Sequence, residues 1–424
     1  MKIKTSILIP TASYVLVLLA FNYFCYIIDF QIDRVNLIVF ITGIGIIACG
    51  AYNEFAKKNI NTIIVLCFFG MYLFEVVLSS IRYNQGFLNS LFADKFYLEI
   101  LLYFTLIRVY KNESDKEMVL KIFVIVSLIV SILLDYQVLV LHPSGKEILY
   151  NIDYWKRSGG ARVTASTHFI EMAVLVSVAK LLEKKKKNKE LENKQKIWNL
   201  FYVFTIIFGL VDIILISKTR MSIILVFSAI GIMFVFRDIG NTKKNFFHRL
   251  IIFILALIAV HFILNVSPIA SSFEDLSSGH ISVSLRREEY IMYIGQLLQN
   301  PFNFIFGMGM IHDTNNTFLS SILGVNGTGG RTDVGAVGFV NEFGIIGLAL
   351  YIWISLRGYK IIKECRKIDV NCMDLMAFWL YFILGSATLC MFNRARIIGV
   401  PIMLYLFDYY SKFIPDKKDI QWFR

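Results

Sequence analysis

The chain has 424 residues, of which 57% are apolar and only 17% charged, and its mean hydropathy is +0.63. A soluble domain would carry about a quarter charged residues, so a soluble globular enzyme and a disordered chain are both excluded. The net charge of +12 comes from 43 Lys+Arg against 31 Asp+Glu; it reads as the cytoplasmic bias of a membrane protein, with no nucleic-acid partner implied.

In chain order, apolar runs fall at 6–28, 36–52, 60–80, 96–107, 118–141, 168–182, 198–216, 221–236, 250–266, 335–356, 375–392 and 397–410. A helix needs about 20 such residues to cross the hydrocarbon core. The runs at 96–107 and 397–410 are short, so the expectation is about 12 transmembrane helices, with a range of 10–12. The first run is too long for a signal peptide and no small-residue cleavage site follows it. The fold class expected is therefore all-α: a polytopic integral membrane protein forming a single membrane domain over 1–424. The six cysteines do not pair up in any predicted external loop, so neither a structural disulfide nor a metal cluster is expected.

Placing the N-terminus in the cytoplasm and alternating the spans puts 29 of the 43 basic residues inside and 14 outside. Both termini are then cytoplasmic, and so is the basic loop at 183–197 with its four consecutive lysines. The outside holds a first loop at 142–167 and a large loop at 267–334. Ten of the 14 outside cations are Arg, against 6 of the 29 inside. Topology needs positive charge of either kind, whereas guanidinium forks bind phosphate and carboxylate bidentately. The blander alternative is interfacial snorkelling and helix-end pairing. Six acids inside spans, Glu75, Glu99, Asp135, Glu171, Asp212 and Glu342, fall in the outer parts of their helices, with Asp408 the exception. Charges at such depth face a cavity or a partner. They suggest a polar basin opening outward, or else acids that pair with the outer arginines.

In the first external loop, Trp155 to Arg157 precede a Gly159-Gly160 turn and Arg162. Within the large loop, 284–299 reads as an amphipathic helix, with Tyr290, Ile291, Ile294, Leu297 and Leu298 at helical spacing. Ser284 is the expected N-cap and Asn300-Pro301 the stop. Arg286 and Arg287 then stand in the first turn, where cations oppose the helix dipole and so serve something else. The segment Gly327-Thr328-Gly329-Gly330-Arg331 reads as a loop tip, or as an anion cradle of backbone N–H groups with a guanidinium beside it. No Walker-type loop, dinucleotide fingerprint, DxD or HExxH occurs, so no cofactor and no metal is expected.

The large loop and the span after it carry an ordered set of residues. Arg286 is followed by Tyr290, Pro301, Gly307-Met308-Gly309, Asp333 and then Asn341-Glu342-Phe343-Gly344-Ile345-Ile346-Gly347. Earlier, Arg162 precedes a span and Ser217-Lys218-Thr219-Arg220 ends one. This order resembles the bacterial O-antigen polymerase and O-antigen ligase superfamily over about the second half of the chain. That family's pattern is Arg, three residues, Trp, then Pro and Gly-x-Gly, then a polar residue before a Gly-x-x-Gly helix. Tyr290 stands where Trp is usual. Asp333 stands where the ligases carry a His, while His312 lies 32 residues before Gly344. These departures favour polymerase over ligase.

The resemblance implies a glycosyltransferase in the bacterial cytoplasmic (inner) membrane. It would join polyprenyl-pyrophosphate-linked oligosaccharide repeat units on the outer face, with donor and acceptor both lipid-linked. Membrane lipid and a chain-length regulator protein are the other partners it implies. Arg286 is the expected catalytic arginine, with Arg162, Arg220, Arg287 and Arg331 binding substrate pyrophosphate. Asp333 and His312 are the candidates for the base that takes the acceptor hydroxyl proton. A solvated loop residue is the plain alternative for His312, and a helix cap for Asp333. An O-antigen ligase is the competing reading within the class. A lipid-linked oligosaccharide flippase or other transporter competes from another class, though no internal repeat of the transporter kind is seen.

Overall fold

The structure is a computed structural model that describes residues 24–28, 33–56, 59–150, 152, 154–157, 160–163, 168–183, 189–217, 219–237, 280–312, 315, 331–393 and 396–414. The expected spans at 250–266 and most of 6–28, the lysine run at 184–187 and the glycine-rich segment at 327–330 lie outside these residues. After one turn at Phe24–Ile27 come α1 (Arg34–Ala48), α2 (Ile60–Tyr83), α3 (Phe87–Ala93), α4 (Leu102–Val109) and α5 (Glu113–Tyr136). A hairpin of β1 (Tyr154–Arg157) and β2 (Gly160–Val163) follows. Then come α6 (His168–Leu182), α7 (Lys189–Val211), α8 (Arg220–Val235), α9 (His280–Leu298) and α10 (Pro301–Phe306). The last three are α11 (Ala336–Lys367), α12 (Met373–Gly385) and α13 (Gly399–Ser411).

Among the described residues, four helices are long and apolar enough to cross a membrane: Ile60–Tyr83, Glu113–Ser144, Gln195–Ser217 and Ala336–Lys367. Shorter apolar helices accompany them at Val35–Ala48, Met221–Val235 and Met373–Gly385. The long helices start where short polar side chains accept from the first free N–H groups. Asn59 accepts from Asn61 N at 3.1 Å to open α2. Asn112 and Asp115 form a capping box for α5. Large apolar side chains such as Ile47, Ile81, Ile207 and Leu356 remain exposed on the helix surfaces, as lipid contact requires.

Several expectations are corrected. The run at 96–107 is not one spanning helix: a 3-10 turn, Lys95–Leu101, leads into α4, whose eight residues rise only about 12 Å. The run at 375–392 leaves the helical path after Gly385 and continues as turns. Irregular backbone of this kind is tolerated where protein covers it, and Cys390, Met391 and Phe392 are buried. The expectation of purely α structure misses the hairpin, whose register pairs Arg157 with Gly160 and Trp155 with Arg162. Helix α9 begins at His280, four residues before the expected cap. Ser284 is thus inside the helix, and Arg286 and Arg287 stand in its second turn, so the dipole argument about them fails. An interior serine costs only about 0.5 kcal/mol, too little to stop the helix there.

The buried face of α9 is not its isoleucine face. It carries Glu289, Tyr293 and Leu297, while Ile291, Ile294 and Leu298 are exposed. The polar stripe packs on the protein and the apolar stripe faces away from it, the arrangement of a helix whose outer face meets lipid.

At one end of α5, α6, α12 and α13 lies a buried charge cluster. The Asp374 carboxylate takes Lys116 Nζ at 3.1 Å and Lys180 Nζ at 3.5 Å, while Lys180 also meets Glu117 at 2.5 Å and Glu183 at 3.0 Å. Tyr410 donates its hydroxyl to Asp374. Breaking a buried pair by removing one partner strands the other charge. Asp374→Ala should therefore destabilise the protein by about 3–5 kcal/mol, seen as a lower melting temperature in detergent. Lys367→Ala, which removes an exposed helix pair with Glu364, should leave it nearly unchanged.

Candidate functional site

Helix α11 is interrupted at Gly344, whose φ of 63° and ψ of −157° are open only to glycine. The break turns the carbonyls of Asn341 and Glu342 out of the helical ladder. The N–H groups of Met308 and Gly309 donate to them at 2.7 and 3.0 Å. The two backbones touch. A Cβ on Gly307 would lie 2.3 Å from the Glu342 carbonyl oxygen, and one on Gly344 would lie 2.3 Å from that of Ile305. The Gly-x-Gly and Gly-x-x-Gly motifs therefore meet as one knot.

The end of α2 grips the other side of this strand. Arg82 donates to the Gly307 carbonyl at 2.8 Å and to Asn303 Oδ1 at 3.2 Å. Met310 N donates to Ser79 Oγ at 2.7 Å, and Gln85 Nε2 to the Met310 carbonyl at 2.8 Å. His312 N donates to Gln85 Oε1 at 3.1 Å. Tyr83 donates its hydroxyl to the Met308 carbonyl. Arg331 closes the ring, its Nη1 donating to the Gly309 carbonyl at 2.6 Å.

Beside the knot is a cavity of ≈ 390 Å³ walled by Asp94, Tyr97, His312, Arg331, Glu342 and Asn393. Phe339 and Phe392, which also line it, stack with centroids 4.5 Å apart. Tyr97 donates its hydroxyl to Glu342 Oε2 at 2.9 Å, and Asp94 lines the same cavity. Glu342 Oε1 and the Nε and Nη2 of Arg331 are buried with no hydrogen-bond partner. Among the described residues the site therefore presents a guanidinium with two N–H edges that make no hydrogen bond, two carboxyl groups and an imidazole at one wall.

The structure brings two of the sequence candidates, His312 and Arg331, into this cavity. Two others, Arg286 of α9 and Asp333, lie near Glu289 instead. Glu289 is buried there, and burial followed by the nearby Asp333 charge raises its carboxyl above the usual range, with Arg286 acting in the opposite sense. Asp333 ends a 3-10 turn begun by Arg331. It does not cap α11, because Gly335 holds that position without a side-chain cap bond. Arg286 is half-buried and Arg287 exposed. Arg162 lies on β2 and Arg220 opens α8, but their side chains lie outside the described residues. Tyr290 donates its hydroxyl to the Ala387 carbonyl, so the aromatic of the Arg-x-x-x-aromatic pattern ties α9 to the turns after α12. The sequence reading missed Asp94, Tyr97 and Asn393 as wall residues.

Among known protein families no family model matches the chain, and no curated protein matches it in sequence.

The glycine contact is testable against a built-in control. Gly86 also has a positive φ, 78°, but nothing lies within 4 Å of its added Cβ. Gly86→Ala should cost about 1–3 kcal/mol of backbone strain. Gly307→Ala, with the same φ of 78° and the 2.3 Å clash, should cost far more and abolish the monodisperse folded peak in size-exclusion chromatography. Equal behaviour of the two variants would show that the knot is not tightly packed.

Proposed function

We propose that the protein is an O-antigen-type polysaccharide polymerase, a membrane glycosyltransferase that joins polyprenyl-pyrophosphate-linked oligosaccharide units at the cavity beside the Gly344 break. The observation that carries this reading is a buried guanidinium with two unpartnered edges facing one space with two carboxyl groups. It is supported by the meeting of the two glycine motifs on which the family resemblance rests. In this reading the acceptor hydroxyl oxygen bonds to the donor's anomeric carbon. The bond from that carbon to the pyrophosphate oxygen breaks, and the electron pair leaves on the pyrophosphate. Arg331 stabilises that growing charge through its Nε and Nη2, an electrostatic contribution concentrated in the transition state. Glu342, through its uncommitted Oε1, takes the hydroxyl proton. His312 orients the acceptor. Asp333 and Arg286 hold the turn that carries Arg331 from the α9 side.

The proposal includes about 12 spans in a bacterial cytoplasmic membrane, with both termini cytoplasmic and the cavity opening outward. In a cysteine-free background, a cysteine at Gln299 should be labelled by an impermeant maleimide in sealed cells, and one at Lys367 only after lysis. Labelling of position 367 in sealed cells would invert the topology and remove the outward-facing site.

The chemistry is tested by elongation of a lipid-linked repeat with purified protein. Arg331→Lys keeps the charge but loses the second parallel donor. It should reach normal membrane levels and lower elongation by about 10²–10³. Activity should survive EDTA. Wild-type elongation by Arg331→Lys, or rescue by magnesium after EDTA, would refute the arginine account.

A further inference from the structure

Two elements meet at the rim of the cavity beside the Gly344 break. Asp33 caps α1, its Oδ1 accepting from Val35 N at 2.8 Å. Its Oδ2 accepts from Lys95 Nζ at 3.0 Å. Lys95 opens the 3-10 turn that follows Asp94. Two residues on, Tyr97 donates to Glu342 at 2.9 Å and packs against Phe343 with ring centroids 5.2 Å apart. The backbone that carries Lys95 is therefore pinned to the α11 segment that forms part of the cavity wall. Asp33, Lys95, Arg331 and Glu342 all line this one cavity. Among the described residues, Lys95 and Arg331 are the two lysine or arginine residues that do so.

The two cations are held in different ways. Arg331 is fixed, with its Nη1 on the Gly309 carbonyl at 2.6 Å. Lys95 is held by an ion pair whose side chains are 18% and 40% exposed. A pair this open to water is worth little. Asp33 caps α1 through its other oxygen, so the cap does not depend on the lysine. Lys95 can therefore exchange Asp33 for another anion without disturbing the fold. Its flexible four-carbon stem and three rotatable donors suit such an exchange. A lipid-linked pyrophosphate carries negative charge on each of two phosphates, and a fixed guanidinium clamps one of them. The charge on the other needs its own cation once it leaves water. A lipid-linked monophosphate makes no such second demand.

We propose that Lys95 is the second anion-binding group of the cavity. Asp33 holds it in reserve at the rim and releases it to the phosphate that Arg331 does not hold, so the site selects pyrophosphate-linked over monophosphate-linked lipids. This rests on the reading of the cavity as the place that receives the lipid-linked donor. The selection is a difference of two affinities, and Lys95 contributes to one of them only.

The test uses the full-length protein in nanodiscs. Equilibrium binding is measured for a polyprenyl pyrophosphate and for the polyprenyl monophosphate of the same chain length. The wild type should prefer the pyrophosphate. Lys95→Gln should keep the wild-type melting temperature, lose about tenfold in pyrophosphate affinity and bind the monophosphate as before. Asp33→Asn retains a capping side chain and releases the lysine, so it should bind the pyrophosphate several-fold more tightly. The double variant should match Lys95→Gln, because Asp33 acts through Lys95. A wild type that binds neither lipid would overturn the reading of the cavity and this inference with it. A wild-type preference that survives in Lys95→Gln, or a gain in Asp33→Asn that persists in the double variant, would overturn the role of Lys95 alone.

Discussion

The break in α11 at Gly344 is the constraint on which the polar end of the molecule depends. An unbroken helix would keep the Asn341 and Glu342 carbonyls in its own ladder. The strand at Gly307–Gly309 would then have nowhere to donate its N–H groups, and a buried unpaired N–H is costly. Because the helix breaks, the strand docks against it, Arg331 reaches back to the Gly309 carbonyl, and the 3-10 turn that carries Arg331 is pinned. Glu342, whose carbonyl takes the Gly309 N–H, directs its side chain to Tyr97. One backbone irregularity therefore positions both Arg331 and the Glu342 carboxyl of the cavity.

Charge is distributed through the bundle in three different states of compensation. The Asp374 cluster pairs its carboxylate with two lysines and a tyrosine hydroxyl. It ties four helices together and leaves little for a ligand. The cavity is partly compensated: Glu342 has one donor and one free oxygen, while Arg331 has one acceptor and two free edges. Among the described residues, no hydrogen bond reaches the carboxylates of Asp135 and Asp212. Buried polar groups are ordinarily satisfied, so the first of these is explained by architecture and the second asks for an external partner.

Much of the helical skeleton was legible in the sequence, because long apolar runs have few alternatives in lipid. Four of those runs became helices of spanning length. The glycines of the two motifs were also legible, since a φ near +63° and backbone contact leave no room for a side chain. The extent of α9 was misread because a serine resembles a cap whether or not the helix stops there. Asp94, which follows α3 with a non-helical φ of −129°, carries no local signal. Its place in the cavity wall with Glu342 joins residues far apart in the chain and is set by tertiary packing. Asp374 went unnoticed for the same reason, since its two lysine partners come from α5 and α6.

The account rests on the claim that the cavity beside the Gly344 break receives a lipid-linked pyrophosphate. Photo-crosslinking tests it most directly. A photoreactive residue at Thr332, which lines the cavity, and another at Asn300, which is exposed away from it, are each illuminated with a radiolabelled polyprenyl pyrophosphate in nanodiscs. The account predicts capture at position 332, suppressed by Arg331→Lys, and background capture at position 300. Equal capture at both positions, or capture at 332 that Arg331→Lys leaves unchanged, would contradict it.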